Sequence, residues 1–196
     1  IIENIPKNFN NYYEPFLGSA VVFINMSYNN KAYLNDYNKD LMNIYNLIKN
    51  EPEKLINKLE YYCKNYIHNE NMDKKKEEFL KNREKLNSFI NIYNDDRAAL
   101  YIYINKICFN GYMQFNKNNI NTSSFGKVVN PKFYKEKQIY NLSHKLKNVE
   151  LKNTDYKIFL KNVQKGDFIY MDPPYVPDDS TKCNIKYNKH EWTEED

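Results

Sequence analysis

The chain has 196 residues, 41% hydrophobic and 16% aromatic, with 19 Tyr and 11 Phe; this suits one domain, or one with an inserted lobe, and excludes whole-chain disorder. Its 29 Lys and Arg against 25 Asp and Glu leave a net charge of +4, which permits a nucleic-acid partner without demanding one. Cys63, Cys108 and Cys183 lack paired spacing and no apolar run approaches membrane-spanning length, which argues against a disulfide framework, a zinc site or a membrane and for a reduced, cytoplasmic setting.

In chain order, YYEPF (12–16) reads as a strand reaching Gly18, AVVFINM (20–26) as a helix start, and AYLND (32–36) as a second short strand ending on an acid. From 38 to 66 apolar residues recur every three or four positions, and Pro52 divides the stretch into two helices. A charged amphipathic helix follows at 73–90 and a nearly apolar one at 95–112, ending at Gly111. The polar stretch 116–127 reads as a long loop or irregular hairpin. Strands return at NVELKN (148–153) and DFIYM (167–171), flanking a short helix around 155–164. Strands alternating with helices predict an α/β fold with a parallel sheet.

The densest chemistry lies in IYMDPPYVP (169–177). The strand before it is apolar enough for a sheet interior, which puts Asp172 at the C-terminal sheet edge, where open α/β sheets bind ligands. Pro173 and Pro174 lack N–H donors and hold the backbone extended with its carbonyls free to accept. With Tyr175 as a stacking face, a carboxylate and a proline carbonyl can grip a planar amine by both N–H bonds. The exocyclic amine of adenine is a poor nucleophile, and fixed acceptors favour the tetrahedral form that attacks a methyl donor. An adenine within a duplex would have to be flipped out first. The plain alternative is an Asp-Pro turn after a strand.

The ordered segments EPFLGSAVVF (14–23), LND (34–36), RAALYIYINKICFNGYMQFN (97–116), DYKIFL (155–160) and DFIYMDPPY (167–175) resemble the Dam-type, D12-class adenine-specific DNA methyltransferases. The resemblance covers nearly the whole chain. It implies a Rossmann-like sheet that binds S-adenosylmethionine, formed by 1–50 and 128–196, with a helical target-recognition lobe inserted at 51–127. It also implies cofactor contacts from Glu14, Pro15, Phe16, Gly18, Asp36, Tyr37, Asp155, Tyr156 and Asp172, with Asp36 on the ribose hydroxyls. Catalysis would fall to Asp172, Pro173, Pro174 and Tyr175, without a metal. Double-stranded DNA would meet Asn110, Tyr112, Gln114, Ser124 and Lys127, with Arg83, Lys85, Arg97 and Lys117 near phosphates. Helix capping is the alternative for Asp36 and Asp155, and a solvated helix face for Arg83 and Lys85.

Several positions depart from the family pattern. Ala20 stands where a second loop glycine is usual. Gln114 replaces an arginine, and glutamine favours adenine over guanine, so the GATC specificity of the Dam branch does not carry over. Ser124 for proline and Lys127 for arginine weaken it further. A glycine- and lysine-containing opening segment and further strands after the DPPY stretch are lacking, which implies a fragment, one part of a split enzyme completed by a second chain, or part of a longer polypeptide. A catalytically silent DNA-binding remnant is the alternative function.

Overall fold

The computed structural model describes residues 1–28 and 30–174. Tyr175 and Cys183 lie outside them. The described chain forms two compact units, Ile1–Met42 with the chain from Asn148 onward, and Asn43–Lys147.

The first unit is built on four parallel strands, β1 (Tyr12–Glu14), β2 (Ala32–Asn35), β3 (Val149–Lys152) and β4 (Phe168–Ile169), in the order β3-β2-β1-β4. All four were legible as strands. Every residue of β1 is buried, because successive side chains point to opposite faces and both faces are covered. Tyr12 stacks towards Phe23 of the short helix α1 (Val21–Asn25), 6.4 Å between ring centroids, whereas Tyr13 meets Phe159 of helix α7 (Tyr156–Phe159) edge-on at 5.8 Å. Tyr13 also stacks on Tyr33 of β2 at 4.6 Å. Aromatic side chains thus fill both layers and fix the strand register.

The second unit is helical. Helix α2 (Lys39–Asn50) leads into it, followed by α3 (Pro52–His68), α4 (Met72–Ser88), α5 (Asp95–Ile107) and α6 (Glu136–Leu146). Pro52 opens α3 at its first turn, where a missing N–H costs nothing. Its core gathers Leu55, Leu59, Tyr66, Phe79, Leu100, Tyr103, Ile104 and Phe133, with Tyr103 stacked on Phe133 at 5.3 Å and Tyr66 edge-on to it at 5.7 Å. The unit extends past the expected 51–127 at both ends. Both α6, absent from the sequence expectation, and the end of α2 belong to it, and the Ser143 hydroxyl donates to the Lys49 carbonyl at 3.4 Å.

Helix α5 ends at Ile107, four residues before Gly111. The cause is non-local: the segment after it folds back as an irregular hairpin, bridged antiparallel at Cys108–Phe125 and Phe115–Asn121. The Gly126 N–H takes the Ile107 carbonyl and the Phe109 N–H donates to the Ser124 carbonyl, both at 2.8 Å. Gly126 is required there, because a Cβ would sit 2.7 Å from the Cys108 carbonyl oxygen and 2.8 Å from that of Ile107. Gly126→Ala is expected to lower the unfolding free energy by about 2–3 kcal/mol in urea titration; an unchanged midpoint would contradict this packing.

Candidate active site

Strand order reverses between β1 and β4, and the crevice beyond such a reversal is where open α/β sheets bind ligands. Glu14 ends β1, Asp36 follows β2, and the chain after β4 reaches Asp172 while Tyr170 still donates to the Tyr13 carbonyl at 2.9 Å. Three carboxylates therefore share one end of the sheet.

Glu14 is 2% exposed and its Oε2 accepts the Tyr12 hydroxyl at 2.7 Å. Burial pushes its carboxyl up to about 7; the Asp172 charge adds to this, and the hydrogen bonds from Tyr12 and from the Phe23 backbone oppose it. A buried carboxylate repelled by a second one makes this end of the sheet favour a cation. Because the folded-state value lies above the unfolded 4.5, the folded protein holds more protons between about pH 4.5 and 7. Stability then falls as pH rises through that window, by about 3 kcal/mol in all. Glu14→Gln is expected to remove this slope in denaturation curves recorded from pH 4.5 to 8; parallel pH profiles for variant and native protein would contradict it.

Asp36 braces the loop after β1. Its Oδ2 accepts the Gly18 N–H and its Oδ1 the Asn38 N–H, both at 2.8 Å. Burial raises its pKa, and these two N–H bonds work against that rise. The cap of α2 is Asn38, whose Oδ1 accepts the N–H groups of Asp40 and Leu41, so Asp36 is spared that duty. Gly18 has φ +48°, and a Cβ there would meet nothing within 4 Å, so the space over the loop is open. Ala20, at the position where the family resemblance expects a second glycine, adopts a left-handed backbone, φ 56°, at a strain of about 1 kcal/mol.

Phe16 and Tyr156, both half-buried, lie 5.2 Å apart between ring centroids at 41°. Asp155 caps α7 by accepting the Lys157 N–H at 2.8 Å. Tyr37 is exposed, and Pro173 and Pro174 are half-buried. One organising residue escaped sequence reading. Asn35, 1% exposed, donates to the carbonyls of Pro15 and Thr154 and accepts the Thr154 N–H, pinning β1, β2 and the start of α7 together. Its signal was a polar residue at an inward position of an apolar strand.

In the helical unit Asn110, Tyr112, Gln114, Lys117, Ser124 and Lys127 all carry exposed side chains on the 108–127 hairpin. Asn110 and Lys127 hold left-handed backbones at φ 54° and 55°. Arg97 does not join them: it is 1% exposed, and its guanidinium donates to the Phe89 carbonyl at 2.9 Å and lies over the Tyr93 ring. Its place on the buried face of α5 removes it from any phosphate. Arg83 is half-buried and donates to the Ser123 carbonyl at 2.7 Å. Lys85 is exposed, with its ammonium over the Tyr62 ring. Among the described residues no helix is long and apolar enough to cross a membrane.

Comparison with known proteins identifies the family. The family model of the D12 class N6 adenine-specific DNA methyltransferases matches residues 1–196. The chain is 33% identical to a type II methyltransferase of Methanocaldococcus jannaschii over 205 residues, covering 100% of this chain and 71% of that protein. It is 30% identical to a type II methyltransferase of Lactococcus lactis subsp. cremoris, covering 98% and 66%, and 26% identical to the DNA adenine methylase of Escherichia coli K12, covering 92% and 61%. It therefore spans about two thirds of the length of these relatives. A match along its whole length, over a parallel sheet with carboxylates gathered where strand order reverses, means that the chain belongs to the D12 class of N6 adenine-specific DNA methyltransferases.

Proposed function

We propose that the protein transfers a methyl group from S-adenosylmethionine to the N6 amine of an adenine flipped out of double-stranded DNA. The observation that carries this reading is the gathering of Glu14, Asp36 and Asp172 at the sheet end where strand order reverses. The first unit would then be the Rossmann-like catalytic domain and the helical unit the target-recognition lobe. Open space over Gly18, a braced carboxylate at Asp36 and a Glu14 carboxyl that a nearby cation would help to ionise suit a cofactor with a ribose and a sulfonium. Asp36 would take the ribose hydroxyls, Phe16 and Tyr156 the adenine ring, and Pro15, Gly18, Tyr37 and Asp155 would complete the wall. Bound there, S-adenosylmethionine supplies an electrophilic methyl group.

The chain's own residues prepare the nucleophile. Asp172 and the Pro173 carbonyl accept the two N–H bonds of the target amine, which favours its tetrahedral, nucleophilic form. Neither proline offers a competing N–H donor. Tyr175 offers a ring on which the extruded base stacks. The exposed hairpin side chains, Asn110, Tyr112, Gln114, Lys117, Ser124 and Lys127, would approach base edges and phosphates. Arg97 is left out of that set.

Calorimetric titration of the full-length protein with S-adenosylmethionine tests the reading. One saturable site per chain, weakened by Asp36→Ala, is the expected result; no heat of binding from folded protein would favour a cofactor-free DNA-binding role instead.

A further inference from the structure

The 108–127 hairpin has only two bridged pairs of its own, too few to fix the register of a two-stranded ribbon in water. Its returning arm is held from α4 as well. The Arg83 guanidinium donates to the Ser123 carbonyl at 2.7 Å. One turn on, the Asn87 amide pairs with the backbone of Asn121 in both directions: Nδ2 to the carbonyl at 3.0 Å, and Oδ1 from the N–H at 2.7 Å. Residues 83 and 87 stand four apart and so share one face of the helix. The restraint passes to the other arm through Ser123, whose side chain is fully buried and whose Oγ accepts the Gln114 N–H at 2.9 Å; the Gln114 carbonyl accepts from Thr122 at 2.9 Å. Beyond the hairpin, Tyr66 and the buried Lys75 clamp the carbonyls of Val128 and Val129, both at 2.5 Å. None of these clamping side chains belongs to the exposed set that would face DNA.

We propose that Arg83 and Asn87 are positioning residues for target-base discrimination, fixing through Asn121 and Ser123 the pose in which Gln114 and Ser124 meet base edges. The inference rests on the DNA-reading role proposed above. A hydrogen-bonding side chain discriminates bases only when its backbone is fixed to within a fraction of an ångström. Arg83 is therefore spent on the protein's own backbone rather than on a phosphate.

The test uses the full-length protein and duplexes carrying its methylated sequence or that sequence with one flanking base changed. Arg83→Met and Asn87→Asp are each expected to reduce the ratio of kcat/KM between the two duplexes about tenfold. Affinity for S-adenosylmethionine and the salt dependence of DNA binding should stay within twofold of native. Arg83→Lys, which keeps a donor, should recover discrimination, and Ser123→Ala, which uncouples Gln114 without touching α4, should lose it. Discrimination kept by Arg83→Met, with a log–log salt slope reduced by about one, would make Arg83 a phosphate contact and overturn the proposal. Equal discrimination in all the variants would overturn it too. A native protein that methylates no DNA would instead sink the proposed function itself.

Discussion

Asp172→Ala is expected to reduce kcat for adenine methylation about 10²–10³-fold, the usual loss when one preorganised polar group facing the reacting atoms is removed. Affinity for S-adenosylmethionine should change much less, because the loop braced by Asp36 is untouched. Asp172→Asn should fall between, since an amide oxygen still accepts one N–H bond but without the charge. The same substitutions have a second readout. Asp172 helps hold Glu14 in its protonated form, so removing its charge should lower the pH at which Glu14 ionises and shift the stability profile towards acid. Single-turnover kinetics beside a pH series of denaturation curves would measure both. Loss of activity without any shift in the pH profile would mean that Asp172 acts without the electrostatic link to β1.

Asp36→Ala should act on binding rather than on chemistry. The carboxylate accepts two backbone N–H bonds, at Gly18 and Asn38, and each such bond to a charged group is worth about 1.5–3 kcal/mol. Alanine removes both; the Gly18 bond braces the cofactor loop, and its loss together with a ribose contact is expected to weaken S-adenosylmethionine binding about 100-fold, with kcat at saturating cofactor within tenfold of native. Asp36→Asn keeps one acceptor but turns an amide donor on one of the two N–H groups, so it should recover only part of the affinity. An unchanged cofactor KM in Asp36→Ala would separate this carboxylate from the binding site.

What the sequence made legible follows from which contacts are local. All four strands and most helices announced themselves through apolar spacing and through Pro52, Gly18 and Gly111, because those signals operate within a few residues. Helix α6 was missed: its N-terminus lacks a side-chain cap and Leu146 is its one buried residue, so no start signal and no deeply buried face marked it. The end of α5 was misplaced because it is set by Phe125 and Gly126, about eighteen residues downstream.

The site was read unevenly for the same reason. Glu14 ends one apolar strand while Asp36 and Asp172 follow others, and a parallel sheet sends all such positions to one edge. Arg97 looked like a free cation, yet the Phe89 carbonyl and the Tyr93 ring that hold it are brought together only by the turn before α5. Asn35 and Asn87 brace strands and hairpin; Asn35 stood out only by its place in an apolar strand, and Asn87, in a chain with asparagine scattered throughout, had no contrast with its neighbours.

The most direct measurement is modified-base sequencing of unmethylated genomic DNA after incubation with the full-length protein and saturating S-adenosylmethionine. The account predicts N6-methyladenine confined to one recurring sequence, and its loss in Asp172→Ala. Folded, cofactor-binding protein that leaves no adenine mark, or that marks as fully without Asp172, would contradict it.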